Sequence, residues 1–349
     1  MNVLLDDLSF NSRLYPFASL RPMVHIRMGI FTILEKWQFA LPGKIFLTSE
    51  RQGKDPGSLQ IMPANIIPSA NFLKQLRKDP TLFPSIEDCK ILEHPWQIFE
   101  FNDWAIRQDF EMLTAGRISE EISSTNKIIH RENIFVEAGA SINYSVLNAA
   151  HGPIYIGQNA EVQEGSLIRG PFVLCEGSRV KMGAKIYGAT TIGPYCLAGG
   201  EIKNSILMGY SNKSHDGYLG DSVIGAWCNL GAGTSNSNIK NTAGMVKVWS
   251  KEKHRYVNAG NKCGLLMGDY SRSAINTSFN TGTVVGVSCN IFGSGFPLKF
   301  IEDFTWGNER YILEKAISDI NNWKKLKGLS ITEEEINSLK NIYELKQEQ

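Results

Sequence analysis

The sequence predicts an α/β unit, then a long parallel β-helix, then a pair of α-helices, and three observations carry that reading. The first is a ladder. Ile156, Val162, Ile168, Leu174, Val180, Ile186, Ile192 and Ala198 stand six residues apart, and all but the last are branched aliphatics. Four residues after them come mostly small side chains: Ala160, Ser166, Ser178, Ala184, Thr190 and Cys196, with Phe172 the exception. A helix repeats at 3.6 and a strand at 2, so a period of six belongs to neither alone. It suits a parallel β-helix, where each flat side supplies one inward aliphatic and a small residue fits the corner. The second observation is strand–helix–strand alternation over residues 1–115. The third is Leu, Ile and Trp at helical spacing between Lys and Glu near the end of the chain.

Taken in order, Val3 to Leu5 forms a short apolar strand and Thr32 to Trp37 sits in a helical pattern. Lys44 to Thr48 makes the next strand, Gln60 to Met62 another, and a helix runs from Asn71 to Lys78. That alternation argues for a parallel sheet of the nucleotide-binding kind. The polar stretch from Arg117 to Asn126 reads as a short helix within a linker, 116–133. The β-helix spans 134–295. Its rhythm fails between Glu201 and Gly217, which suggests a loop thrown out of a coil, and resumes at Leu219, Ile224 and Leu230. Asn236 to Lys262, rich in Asn, Lys and Gly, is a second interruption. Loops that interrupt a regular scaffold are common places for sites. Residues 296–349 form a helical cap, with helices over Tyr311–Leu326 and Thr332–Leu345.

Composition bounds the partners. The 349 residues carry 36 Lys+Arg against 35 Asp+Glu, a net charge of +1, so no global field argues for nucleic acid or an anionic membrane. Six cysteines are scattered with no CxxC pair and no His cluster at metal spacing, which fits reduced thiols, with Cys175 and Cys196 as small core residues. The start, MNVLLDDLSF, is not a signal peptide, and no run of 18 apolar residues crosses a bilayer. The expectation is a soluble cytoplasmic protein.

The chemistry gathers at the first interruption, in Asn212-Lys213-Ser214-His215-Asp216-Gly217-Tyr218-Leu219-Gly220-Asp221, followed by Asn229-Leu230-Gly231-Ala232-Gly233-Thr234 and then Asn238. From Lys185 to Asn238 the chain resembles the acetyltransferase half of the bifunctional glucosamine-1-phosphate acetyltransferase/uridyltransferases. Their motif reads roughly K-x-G-H-x-x-Y-L-G-D, then N-I-G-A-G-T, then C-N. The resemblance implies a left-handed β-helix of hexapeptide repeats that associates as a homotrimer, with acetyl-CoA bound between subunits.

It also implies roles. His215 matches the general base that takes a proton from the attacking amine, work that suits an imidazole. Tyr218 and Asn229 match residues contacting the sugar phosphate, and Lys203 matches a lysine that meets the phosphate. Lys185 stands where the family carries an arginine, keeping the charge without the bidentate fork. Asn238 matches a position contacting acetyl-CoA. The family's later lysine falls on Gly244, with Lys247 nearby. Read without the motif, Asn229 and Asn238 are equally ladder asparagines, Tyr218 covers a coil corner, and the two lysines are surface charges.

Near the N-terminus, Arg13-Leu14-Tyr15-Pro16-Phe17-Ala18-Ser19-Leu20-Arg21-Pro22 resembles the R-x-x-P-L-T-x-x-x-P-K-P signature of sugar-1-phosphate nucleotidyltransferases. The resemblance implies a nucleotidyltransferase-like domain over 1–115, Arg13 and Arg21 as nucleotide-binding charges, and Mg²⁺ with a nucleoside triphosphate. The chain departs from the pattern at three points. Leu5 to Phe10 replaces the Gly-rich loop, Met23 the lysine, and Asn65 the metal-binding aspartate. Asp103 and Asp109 remain as carboxylates whose spacing ties them to no metal. The leading expectation is acetyl transfer from acetyl-CoA to an amino-sugar 1-phosphate in sugar-nucleotide biosynthesis. The rivals are a protein acting chiefly as a sugar nucleotidyltransferase, and a non-catalytic trimeric scaffold.

Overall fold

A computed structural model describes residues 2–50, 59–79 and 85–345 of the chain. The N-terminal unit is built on a three-stranded parallel sheet, with β1 (Asn2–Asp6) between β2 (Ile45–Leu47) and β3 (Leu59–Pro63). Helix α1 (Ile33–Ala40) starts at a capping box in which Thr32 and Glu35 satisfy each other's backbone N–H groups. Ser69 caps α2 (Ala70–Lys78) through its hydroxyl. Trp37 of α1 is fully buried and meets the Phe72 ring of α2 edge-on at 5.6 Å. The short α3 (Gln97–Glu100) and the longer α4 (Asn102–Thr114) complete the unit. Residues 117–126 hold no helix; the helix of this region is α4, immediately upstream. Two of its core-facing positions are Asn102 and Asp109, so its apolar stripe is broken by polar residues.

The N-terminal unit is followed by the expected left-handed β-solenoid, of about 10 turns, and then by two helices. All eight ladder residues point inward, none more than 1 % exposed. The small residue at one corner has a positive task. Ser178, Ser211 and Ser271 each donate from the hydroxyl to a carbonyl of the next coil (Gly193, Gly225 and Gly286). Each also accepts an N–H of that coil, from Cys196, Cys228 and Cys289. A larger side chain would leave those buried backbone groups unpaired. All six cysteines are free.

The first face stacks Ile134–Val136, Ile154–Ile156, Phe172–Leu174 and Thr190–Ile192, and continues towards Thr283–Val285. The second carries Glu161–Val162, Arg179–Val180, Leu197–Ala198, Asn212–Lys213 and Asn229–Leu230. The third begins at Lys127–Ile129, inside the stretch read as a linker, and runs through Val146–Asn148, Leu167–Arg169 and Lys185–Ile186.

The phase break from Glu201 to Gly217 is not an extruded loop, contrary to the sequence reading. Strands Glu201–Leu207 and Tyr218–Ile224 each turn the corner from the third face to the first and stay in register with their neighbours. What changes is coil length. Leu174 pairs with Ile192, 18 residues on, whereas Ile192 pairs with Leu207, 15 residues on. The rhythm slips because two corners are shortened while the wall stays intact. The second interruption is a true projection. Ile224 pairs with Met267, and the intervening chain carries an antiparallel hairpin, Lys247–Ser250 with Arg255–Asn258.

On the first face the outward residues are mostly apolar too, Thr191 being the polar exception. Phe135, Tyr155, Val173, Thr191, Ile206, Val223, Leu266 and Val284 lie in one register row, and all are buried. The N-terminal unit covers them, so its core and the solenoid's outer wall are continuous. Helices α5 (Leu313–Lys325) and α6 (Glu333–Leu345) flank a different line. That line is a corner of stacked rings, Tyr195 on Tyr210 at 5.1 Å and Tyr210 on Trp227 at 4.3 Å. Lys324 of α5 lies 5.1 Å from the Trp227 ring centre, and Tyr270 donates to Glu335 of α6 at 2.8 Å. Among the described residues no helix is long and apolar enough to cross a membrane.

Candidate active site on the third face

His215 is exposed at the corner where the second face turns into the third. Coils approach very closely there. A Cβ on Gly199 would stand 2.3 Å from the Ser214 carbonyl oxygen, and one on Gly200 2.7 Å from that of His215. Gly200 has a φ of +72° and Gly217, just past the histidine, +121°, conformations that glycine adopts at little cost. The His215 turn is therefore seated tightly on the shortened Gly199–Gly200 corner of the coil before it.

Three residues on, Tyr218 lies across the third face. Its ring fills the space over Gly220, where a Cβ would meet the hydroxyl oxygen at 2.3 Å. Asn238, at the root of the projecting arm, donates from Nδ2 to the Tyr218 Oη at 3.2 Å and also to Asp221. Asp221 is buried and accepts a further bond from Asn204 Nδ2 at 2.6 Å. Asn204 and Asp221 both sit in the left-handed region, with φ of 45° and 47°. Burial, and then the negative charges of Asp221 and Glu201, push the Tyr218 phenol up, so it stays a neutral donor and acceptor.

Lys185, Glu201 and Tyr218 are register neighbours on consecutive coils, about 4.8 Å apart per step. Lys203 pairs with Gly220, and both lysines are exposed. His215, Tyr218, Lys185, Lys203 and Asn238 thus border one open surface. Asn229 does not join them within the chain. It lies on the second face between Asn212 and Arg272, and Asn212 Nδ2 reaches its Oδ1 at 3.4 Å. The true ladder asparagine is Asn236, which bonds both the N–H and the carbonyl of Gly220. Lys213 escaped the sequence reading. It holds an inward position in the column Val162, Val180, Ala198, and that register would have singled out a charge in an aliphatic row.

The N-terminal signature is placed differently. Leu14, Tyr15 and Phe17 are buried, and Tyr15 donates to Asp303 of the solenoid at 2.9 Å. Arg13 Nε donates to Glu252 of the arm at 3.0 Å, and Arg21 is ion-paired with the buried Asp269. Met23 and Asn65 are buried. Asp103 pairs with Arg107 at 2.6 Å, and Asp109 with the buried Lys36. Asp7 accepts from the backbone and hydroxyl of Ser49. Among the described residues no group of three or more His, Cys, Asp or Glu is arranged to hold a metal ion. The aspartate position of the signature carries Asn65, and Asp103 and Asp109 are both ion-paired, so none of these three offers a free carboxylate to Mg²⁺.

An N-terminal α/β unit docked on a left-handed β-solenoid is the arrangement this chain presents, and known proteins are similar to each part. Residues 2–81 match the family model for a sugar nucleotidyl transferase. A bifunctional sugar-1-phosphate nucleotidylyltransferase/acetyltransferase of Sulfurisphaera tokodaii is 29 % identical over 198 residues, 57 % of this chain and 43 % of that protein. The bifunctional protein GlmU of Methanocaldococcus jannaschii is 37 % identical over 110 residues, 32 % of this chain and 26 % of its own. The chain is thus similar to bifunctional sugar nucleotidyltransferase/acetyltransferases in both of its parts. It spans less than half the length of these curated relatives.

Proposed function

We propose that the protein is an acetyltransferase of sugar-nucleotide biosynthesis, moving acetyl from acetyl-CoA to the amine of an amino-sugar 1-phosphate at the His215 corner. The observation that carries this reading is the convergence of an exposed imidazole, a half-buried tyrosine held by Asn238, and two exposed lysines on one face. His215 takes the proton as the amine attacks the thioester carbonyl, and coenzyme A leaves as its thiol. Lys185 and Lys203 supply positive charge for the phosphate, and Tyr218 an oriented hydroxyl for the sugar. Asn238 lines the acetyl-CoA side. Asn229, on the adjoining face, contributes to a site completed by a second subunit of a homotrimer. Met182 and Ile275, each 69 % exposed, leave apolar side chains free for such a contact.

Thiol release from acetyl-CoA with glucosamine 1-phosphate tests the reading. Wild type releases thiol with the sugar present, and His215→Ala loses about a hundredfold or more in rate. Equal rates in the two proteins would remove the assigned base.

A second reading, nucleotidyl transfer by the N-terminal unit, is favoured by the family match over residues 2–81. Against it, Arg13 and Arg21 are already engaged by carboxylates of the solenoid and its arm. Pyrophosphate release from a nucleoside triphosphate and a sugar 1-phosphate, abolished by Arg13→Ala, would establish it.

A further inference from the structure

Inside the solenoid, directly behind the His215 corner, an ammonium group stands where the column calls for an aliphatic. Lys213 pairs in register with Ala198, which pairs with Val180, and the column continues to Val162. Its side chain is 1 % exposed. An unpartnered ammonium there would pay a desolvation penalty with nothing to offset it. It is instead met by three backbone carbonyls. Nζ donates to the carbonyl of His215, to that of Asp216 at 3.3 Å and to that of Gly199 at 3.4 Å. An ammonium has three N–H donors and no acceptor, so this set matches its charged form.

Each acceptor belongs to the corner that presents the imidazole. Gly199 lies on the preceding coil, His215 and Asp216 on the turn itself. One buried cation therefore ties the turn to the coil behind it from the inside, while the glycine contacts seat it from the outside. Ala198, the one small member of the eight-residue ladder, lies beside Lys213 in the column and is the shortest of its neighbours there.

We propose that Lys213 is a positioning residue for His215: its ammonium, bound to the carbonyls of Gly199, His215 and Asp216, fixes the turn and hence the direction of the imidazole on the third face. The proposal rests on the assignment of His215 as the base, and it separates the role of Lys213 from ordinary core packing. Packing alone is served by any flexible apolar chain of similar length. Positioning is not, because methionine offers no donor to the carbonyls.

The test is Lys213→Met, measured alone and with His215→Ala. The variant folds with a thermal midpoint equal to or above wild type. Its kcat for thiol release falls about tenfold or more, with KM for acetyl-CoA and for the sugar phosphate little changed. In the His215→Ala background the same change has no further effect on rate. Unchanged kcat in Lys213→Met, or an equal loss in the absence of His215, overturns the proposal. If wild type transfers no acetyl group at all, the functional reading fails separately, and the ring signals of ¹⁵N-labelled histidines still decide the structural claim. A moved or broadened His215 signal in Lys213→Met supports it; an unmoved one refutes it.

Discussion

Arg21→Met measures how much the contact between the N-terminal unit and the solenoid contributes to stability. Arg21 pairs with Asp269, whose side chain is 1 % exposed, while the arginine keeps 27 % of its own exposed. Removing one partner of a fully buried pair costs about 3–5 kcal/mol, because the remaining charge is left uncompensated. Two features lower that figure here. The guanidinium is partly wet, so less of its hydration is returned on removal. Asp269 Oδ1 also keeps the backbone N–H of Ala226 at 2.7 Å. A loss of roughly 2–3 kcal/mol follows. Urea unfolding of wild type, Arg21→Met, Asp269→Asn and the double variant reads it from midpoints at a common slope. The double variant should recover much of the loss, since neither charge is then stranded. An Arg21→Met protein within about 0.5 kcal/mol of wild type would refute the docking role and free Arg21 for a ligand.

Three further expectations come from named contacts. Lys36 and Asp109 form a buried pair, and burial moves each towards its neutral form, the amine down and the carboxyl up. Asp109→Asn should lose about 3–5 kcal/mol in chemical denaturation, whereas replacing both by apolar residues should lose far less. Gly199→Ala places a methyl within 2.3 Å of the Ser214 carbonyl oxygen, so calorimetry should show about 1–3 kcal/mol of destabilisation and the thiol assay a disproportionate loss of rate. Burial lowers Lys213 from 10.5 to about 8. Between those values the unfolded chain binds more protons than the folded one, so wild type should gain up to about 3 kcal/mol on Lys213→Met as pH rises from 8 to 10.5. Paired denaturation curves across that range check the sign.

The solenoid was legible because its inward positions obey a fixed chemical rule over eight consecutive places. The break at Glu201 was misread because shortened corners and an extruded loop disturb the period in the same way. Ile202, Leu207, Leu219 and Ile224 are all buried, so the wall continues through the break at a changed spacing. The covered face was also written in the sequence, in triplets such as Phe172-Val173-Leu174 and Leu265-Leu266-Met267, apolar on both sides of the strand. Faces left open read instead as alternations, such as Glu161-Val162 and Lys185-Ile186. Of the site, His215 and Tyr218 were visible through their motif. Lys213 and Asp221 stand in the same motif and Asn204 outside it, but their roles were not legible, because they depend on contacts with residues 14 to 17 positions away on adjoining coils. Arg13 and Arg21 were noticed as charges, but no local pattern could reveal that Glu252 and Asp269 would meet them.

The site on the third face is tested most directly by a structure of the protein with acetyl-CoA and glucosamine 1-phosphate bound. The sugar amine should lie about 3 Å from a ring nitrogen of His215, with the phosphate towards Lys185 and Lys203. A sugar phosphate seated instead against the Arg13–Pro22 loop, with the His215 corner empty, would contradict the account.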